Sequence, residues 1–159
     1  MTLDELLLEK LSSWRPTADG RHSMTESFPE QGWTVTLAAD RTDTIGTVAW
    51  ELSLARNAEP PAGLTLPTWA NQIADRNSGL LEDLKVFEVD ATLNEAVLRS
   101  DSPAGRGDDR FYYEVRLSGL SLATVRRYKA NRSAGTRREQ TGFTLTHESL
   151  AKLAGDIAG

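Results

Sequence analysis

A period of two constrains this chain most. In Trp33–Asp40, Trp33, Val35, Leu37 and Ala39 alternate with Thr34, Thr36, Ala38 and Asp40. In Gly46–Arg56, Val48, Trp50, Leu52 and Leu54 alternate with Thr47, Ala49, Glu51 and Ser53. Phe111, Tyr113, Val115 and Leu117 alternate with Tyr112, Glu114 and Arg116, and Leu122–Ala130 repeats the pattern. Successive side chains of a strand point to opposite faces, so these segments read as half-buried antiparallel strands. The short polar segment Arg41–Ile45 makes a hairpin of the first two.

Such a sheet must bury its apolar face, and three segments offer helices to cover it. Thr2 is an N-cap with Glu5 at the capping-box spacing, and Leu3, Leu7, Leu11 and Trp14 recur at helical steps until Pro16 ends the run. A second helix starts near Pro67, and the spacing of Trp69, Ala70, Ile73, Ala74 and Asn77 supports about four turns. A third follows Thr146, with Glu148 in its first turn and a stripe of Leu150, Leu153, Ala154 and Ile157.

The remaining segments complete the order. Lys85–Ala91 and Glu95–Ser100 read as strands around a tight turn at Thr92-Leu93-Asn94. Ser102–Asp109 reads as a loop, 131–139 as a polar loop, and Gly142–Thr146 as a last short strand. Residues 16–31, with Pro16, Gly20 and Pro29, read as a long irregular connection, part of it mobile. The expectation is one α+β domain over 1–159: a mostly antiparallel sheet of about 5–7 strands in the order α-β-β-α-β-β-β-β-β-α.

Composition narrows the function classes. The 159 residues include no cysteine, which excludes a disulfide framework, a thiol nucleophile and Cys-ligated zinc. The acidic start argues against a signal peptide, and no apolar run approaches the roughly 20 residues of a membrane helix. The expected location is cytoplasmic. The formal charge of −5 divides unevenly. Residues 1–98 hold 7 Lys/Arg and 16 Asp/Glu, while 99–159 hold 11 Lys/Arg and 7 Asp/Glu. Either the halves neutralise each other or the basic half meets an anionic partner.

Motifs for chemistry are incomplete. His147-Glu148 opens like H-E-x-x-H, but Ala151 stands where the second histidine belongs. Gly119-Leu120-Ser121-Leu122-Ala123 lacks the last glycine of a nucleophile elbow and lies between strands. Gly105-Arg106-Gly107 lacks the third glycine of a dinucleotide fingerprint. Asp108-Asp109 is a carboxylate pair in a loop, and Glu88 and Asp90 share a strand face within reach of Arg99 or Arg116. The expectation is no enzyme, no cofactor and no metal.

Two surfaces remain as binding candidates. Tyr112, Arg116, Arg126, Arg127 and Tyr128 lie on neighbouring strands, a composition that suits a protein–protein hot spot or a single-stranded nucleic acid. Leu3, Leu7, Leu11 and Trp14 either cover the sheet or make a contact with a second copy or a partner.

The succession of a Leu-rich amphipathic helix, a β-meander, a central helix, more strands and a terminal helix resembles the type III secretion chaperone-like fold, including its sensory-transduction regulator relatives. The stretches Leu81–Asp90 and Phe111–Val115 also resemble an uncharacterised bacterial family. The chaperone resemblance implies dimers and apolar grooves that receive an extended partner segment. Here about five strands follow the central helix where the chaperones have two. The function expected is that of a non-enzymatic binding or chaperone-like protein that recognises another protein through the apolar helix or an exposed sheet face. The alternative is a nucleic-acid or anionic-ligand binder using the basic-aromatic strands at 111–138.

Overall fold

The computed structural model describes residues 1–133, 135 and 137–159. It is an α+β fold whose helices are α1 (Leu3–Ser13), α2 (Leu66–Arg76) and α3 (His147–Ala158). The strands are β1 (His22–Phe28), β2 (Trp33–Thr42), β3 (Gly46–Arg56), β4 (Leu84–Asp90), β5 (Glu95–Ser100), β6 (Ala104–Arg106), β7 (Asp109–Ser118), β8 (Leu122–Asn131), β9 (Glu139–Thr141) and β10 (Phe143–Thr146). Among the described residues all ten belong to one antiparallel sheet, more strands than the alternation alone reveals.

The path of the sheet is β1-β2-β3-β8-β7-β5-β4. The chain builds a meander through β1, β2 and β3, then crosses to the far edge through α2. It returns as β4, β5, β7 and β8 until β8 closes against β3. The β3–β8 pairing covers only Leu52–Ala55 against Leu122–Val125. Beyond it the two strands part. There β10 takes the free side of β3, and β9 takes that of β8.

This parting changes the phase of β3. Thr47, Ala49, Leu52 and Leu54 are buried, so Trp50 and Glu51 both turn away from the core. Continuous alternation would have grouped Val48 and Trp50 with Leu52 and Leu54. A bulge places two residues opposite one and resets the period, and the β2–β3 register shifts at this level, between Ala38 and Arg41.

Two further expectations need correction. The stretch 16–31 is not an irregular connection: it holds β1, which pairs with β2 from His22↔Ala39 to Phe28↔Trp33. Its alternation is concealed because Glu26 occupies an inward position between the buried Met24 and Phe28. Nor does α2 run for four turns. It has 11 residues, with Thr65 as N-cap and Asn77 as C-cap. After it, the Asp156 carboxylate of α3 accepts hydrogen bonds from the Ser78 and Gly79 amides at 2.7 and 3.0 Å and from the Ser78 hydroxyl. This tether turns Leu80 into the core and leaves Leu81 fully exposed.

Smaller corrections concern the loops. Ser102–Asp109 contains β6, which hairpins onto β7. Within 131–139, Asn131 ends β8 and Glu139 begins β9, while residues 134 and 136 lie outside the described residues. The turn at Thr92–Asn94 forms as expected: Asp90 Oδ1 accepts from the Thr92 and Leu93 amides, and Asn94 takes a φ of 54°. Asparagine tolerates that left-handed region better than most residues.

All three helices lie on one side of the sheet. Leu3, Leu7 and Leu11 of α1, Trp69 and Ile73 of α2, and Leu150, Leu153 and Ile157 of α3 share one core with the inward residues of the strands. The Trp69 indole donates to the Ile157 carbonyl at 2.9 Å, which ties α2 to α3. No helix among the described residues is long and apolar enough to cross a membrane.

Candidate functional site on the outer sheet face

Because the helices share one side, no helix among the described residues covers the other side of the sheet. Strand register decides which residues stand there. Cross-strand partners Tyr112↔Tyr128, Glu114↔Arg126 and Arg116↔Thr124 alternate with inward Tyr113, Val115 and Leu117. On the neighbouring strand, Arg99 pairs with Glu114 and Val97 with Arg116. The bulge in β3 brings Glu51 and Trp50 to the same side.

The result is a row of alternating charge across four strands. Glu51 of β3 accepts from Arg126 of β8 at 3.0 Å. Glu114 of β7, next in the row, accepts from Arg99 of β5 at 3.0 Å. Arg138, from the segment before β9, donates to Glu114 Oε1 at 2.8 Å and to the Tyr112 hydroxyl at 3.2 Å. Arg116 bridges Glu95 at 3.4 Å and reaches Glu114 at 3.9 Å.

Glu114 is the centre of this network. Its side chain is only 2% exposed although no helix covers it. Burial pushes its carboxyl pKa up, but the hydrogen bonds and charges of Arg138 and Arg99 outweigh that and hold it below the usual range. Burial alone would lower the Arg138 pKa, and its bonds to Glu114 and Tyr112 raise it instead.

Aromatic rings complete the layer. The Arg99 guanidinium lies 4.1 Å from the Phe87 ring centre and 5.3 Å from that of Tyr112. Arg138 stacks on Tyr128 at 3.8 Å, and Arg21 covers Trp50 at 3.9 Å. Val97 and Tyr128 are buried beneath this layer, outside the main core. Planar guanidinium groups stack and pair at once, which lets arginine roof a sheet without a helix.

Of the five residues singled out in the sequence, Tyr112, Arg116, Arg126 and Tyr128 meet on this face. Arg127 does not. It pairs across with Tyr113, turns to the helix side, bonds Glu82 at 2.9 Å and packs over the Tyr113 ring. Sequence reasoning named Arg99 and Glu114 without placing them at the centre. Their signal was the two-residue step from Tyr112 through Glu114 to Arg116. Arg138 carried no such signal, since it precedes its strand. The other candidate surface is spent in the core: Leu3, Leu7 and Leu11 are buried and Trp14 packs against the same cluster, so this stripe is no free face for a partner.

Elsewhere the polar residues serve the fold. Asp90 holds its turn rather than pairing with an arginine, Glu88 is exposed, and Asp109 accepts from Asn131 at 3.0 Å. Among the described residues no three His, Asp or Glu side chains are grouped to hold a metal. A groove of about 970 Å³ at the β2–β3 turn is lined by His22, Asp40, Thr42, Asp43 and Thr144 among others. Three of its titratable groups are engaged locally: Arg21 bonds Asp40, the Ile45 and Gly46 amides bond Asp43, and His22 meets the Ala18 carbonyl. Behind the groove, His147 opens α3 with its ring 3.2 Å from the Thr42 hydroxyl.

No family model, curated protein or solved structure matches this chain.

Proposed function

We propose that this is a non-enzymatic protein that binds another polypeptide on the outer face of its sheet. The observation that carries this reading is the side of the sheet without helices, where Tyr112, Tyr128, Phe87 and Trp50 stand among arginines, Arg99 stacking on Phe87 and Tyr112, Arg138 on Tyr128 and Arg21 on Trp50. Arginine and large aromatic side chains dominate the energetics of protein interfaces. The charges of Arg99, Arg116, Arg126 and Arg138 are largely matched by Glu51, Glu95 and Glu114. Such a face is close to neutral, which favours an amphipathic polypeptide over a polyanion. Polypeptide binding is also what the chaperone resemblance implies.

Affinity capture with the full chain and with the variant Tyr112→Ala/Arg116→Ala tests this. The expected result is a stoichiometric protein partner held by the wild type and lost by an equally folded variant. Equal recovery by both, or no partner, overturns it. The nucleic-acid or anionic-ligand reading rests on the basic excess at 111–138. Pairing of Arg116, Arg126 and Arg127 with carboxylates counts against it. A salt-dependent mobility shift with single-stranded DNA, abolished by Arg126→Glu, would favour it.

A further inference from the structure

Among the described residues the sheet ends in two long strands with one unpaired side each, β1 and β4, and they differ. At β1 the apolar residues Met24 and Phe28 are buried, and the inward position between them holds Glu26, near Lys10 at 4.0 Å. An inward charge on an edge strand blocks continued pairing. At β4 Leu84 is buried, but apolar side chains farther along reach solvent: Phe87 is 53% exposed and Val89 40%. Leu81 and Leu93, beyond opposite ends of the strand, are also exposed.

We propose that the protein forms a two-fold dimer in which β4 pairs antiparallel with β4 of a second copy. The argument is the face pattern of the strand. Lys85 pairs with Arg99, Glu88 with Val97 and Asp90 with Glu95, all on the outer face, while Val86 pairs with Leu98 and Val89 with Ala96 on the helix side. Phe87 is the bulged residue and lies on the outer face under Arg99. From 85 to 90 the order is therefore outer, inner, outer, outer, inner, outer, which reads the same in both directions.

A two-fold axis normal to the sheet keeps the faces and reverses the strand. Centred between Phe87 and Glu88, it sets Lys85 opposite Asp90, Val86 opposite Val89 and Phe87 opposite Glu88, each pair formed twice. Every pair then lies on one face, and the opposed charges are of opposite sign. A shift by one residue sets Val86 against Glu88 or Asp90 and mixes the faces. The bulge, which protects a lone edge, is here met by its own copy, two residues facing two. The same axis brings Leu81 of one copy toward Leu93 of the other. A closed isologous contact of this kind is the commonest oligomer geometry. It does not depend on the outer face being a partner surface, because the dimer uses the edge and leaves Tyr112 and Arg116 uncovered.

Sedimentation equilibrium of the full chain tests the pairing. The expected result is a monomer–dimer equilibrium that Lys85→Asp and Asp90→Lys each shift to monomer by placing like charges opposite each other. An equimolar mixture of the two variants restores the dimer, since each then supplies the other's missing charge. A monomeric wild type at every concentration up to about 1 mM, a dimer insensitive to Lys85→Asp, or no restoration on mixing overturns the proposal. Since Asp90 also holds a turn, hydrogen exchange of the unaltered protein gives a second reading. Amides of Leu84–Asp90 should gain protection with concentration. Protection gained at β1 instead, or nowhere, also overturns it.

Discussion

At the scale of single residues, the outer face turns on Glu114. Its carboxylate receives three arginines, so replacing it removes the one acceptor they share. Breaking a buried ion pair from one side costs several kcal/mol, and partial exposure of the arginines screens part of that. Glu114→Gln should therefore destabilise the fold by about 1–3 kcal/mol in urea denaturation. The same carboxyl, held below the usual range, contributes stability above its unfolded pKa and loses it as pH falls through the folded value.

His147 adds a second pH dependence at higher pH. Burial lowers its pKa first, and the Arg15 charge lowers it further, while Asp43 and the Gly46 carbonyl oppose them. Below its unfolded value of about 6.5 the unfolded chain binds a proton that the folded chain resists. Stability should fall as pH drops from that value. The loss should be smaller in His147→Gln, as measured by denaturation midpoints between about pH 7 and 5.

At the scale of elements, the alternating segments and the capped helices were legible because each carries its own signal. Thr2 and Glu5 form the capping box, and Thr65 and Thr146 cap the other two helices. What was not legible is where a regular pattern is broken by a distant element. The bulge at Trp50–Glu51 marks where β9 and β10 enter between β3 and β8, contacts made with residues about 90 positions away. The early end of α2 is set by Asp156 of α3. Gly79 lies so close to α3 that an added Cβ would stand 2.5 Å from the Leu153 nitrogen and 2.6 Å from the Ser149 oxygen. Those neighbours are backbone and cannot swing away. Gly79→Ala should thus cost about 1–3 kcal/mol, read as a lower thermal midpoint, although alanine is the better helix former.

At the scale of the molecule, the uneven charge finds its explanation in topology. Returning strands of the basic half lie between strands of the acidic half, so Arg126 meets Glu51, Arg127 meets Glu82 and Arg116 meets Glu95. The same interleaving makes the two halves interdependent. With β7 and β8 between β3 and β5, fragments 1–102 and 103–159 should each lack cooperative unfolding, and mixing them should restore it. Circular dichroism of the separate and mixed fragments checks this; a cooperative transition in 1–102 alone would contradict it.

By itself the sequence determined the α+β class, the three helices and the strands whose alternation is unbroken, because propensity, capping and periodicity act over a few residues. Tertiary structure alone decided which face each interrupted strand shows, that Arg127 turns inward while Arg126 turns outward, and that α1 buries its leucines in its own chain. Those outcomes depend on a sheet order that joins residues far apart in the chain. A bulge of one residue inverts every facing that follows it.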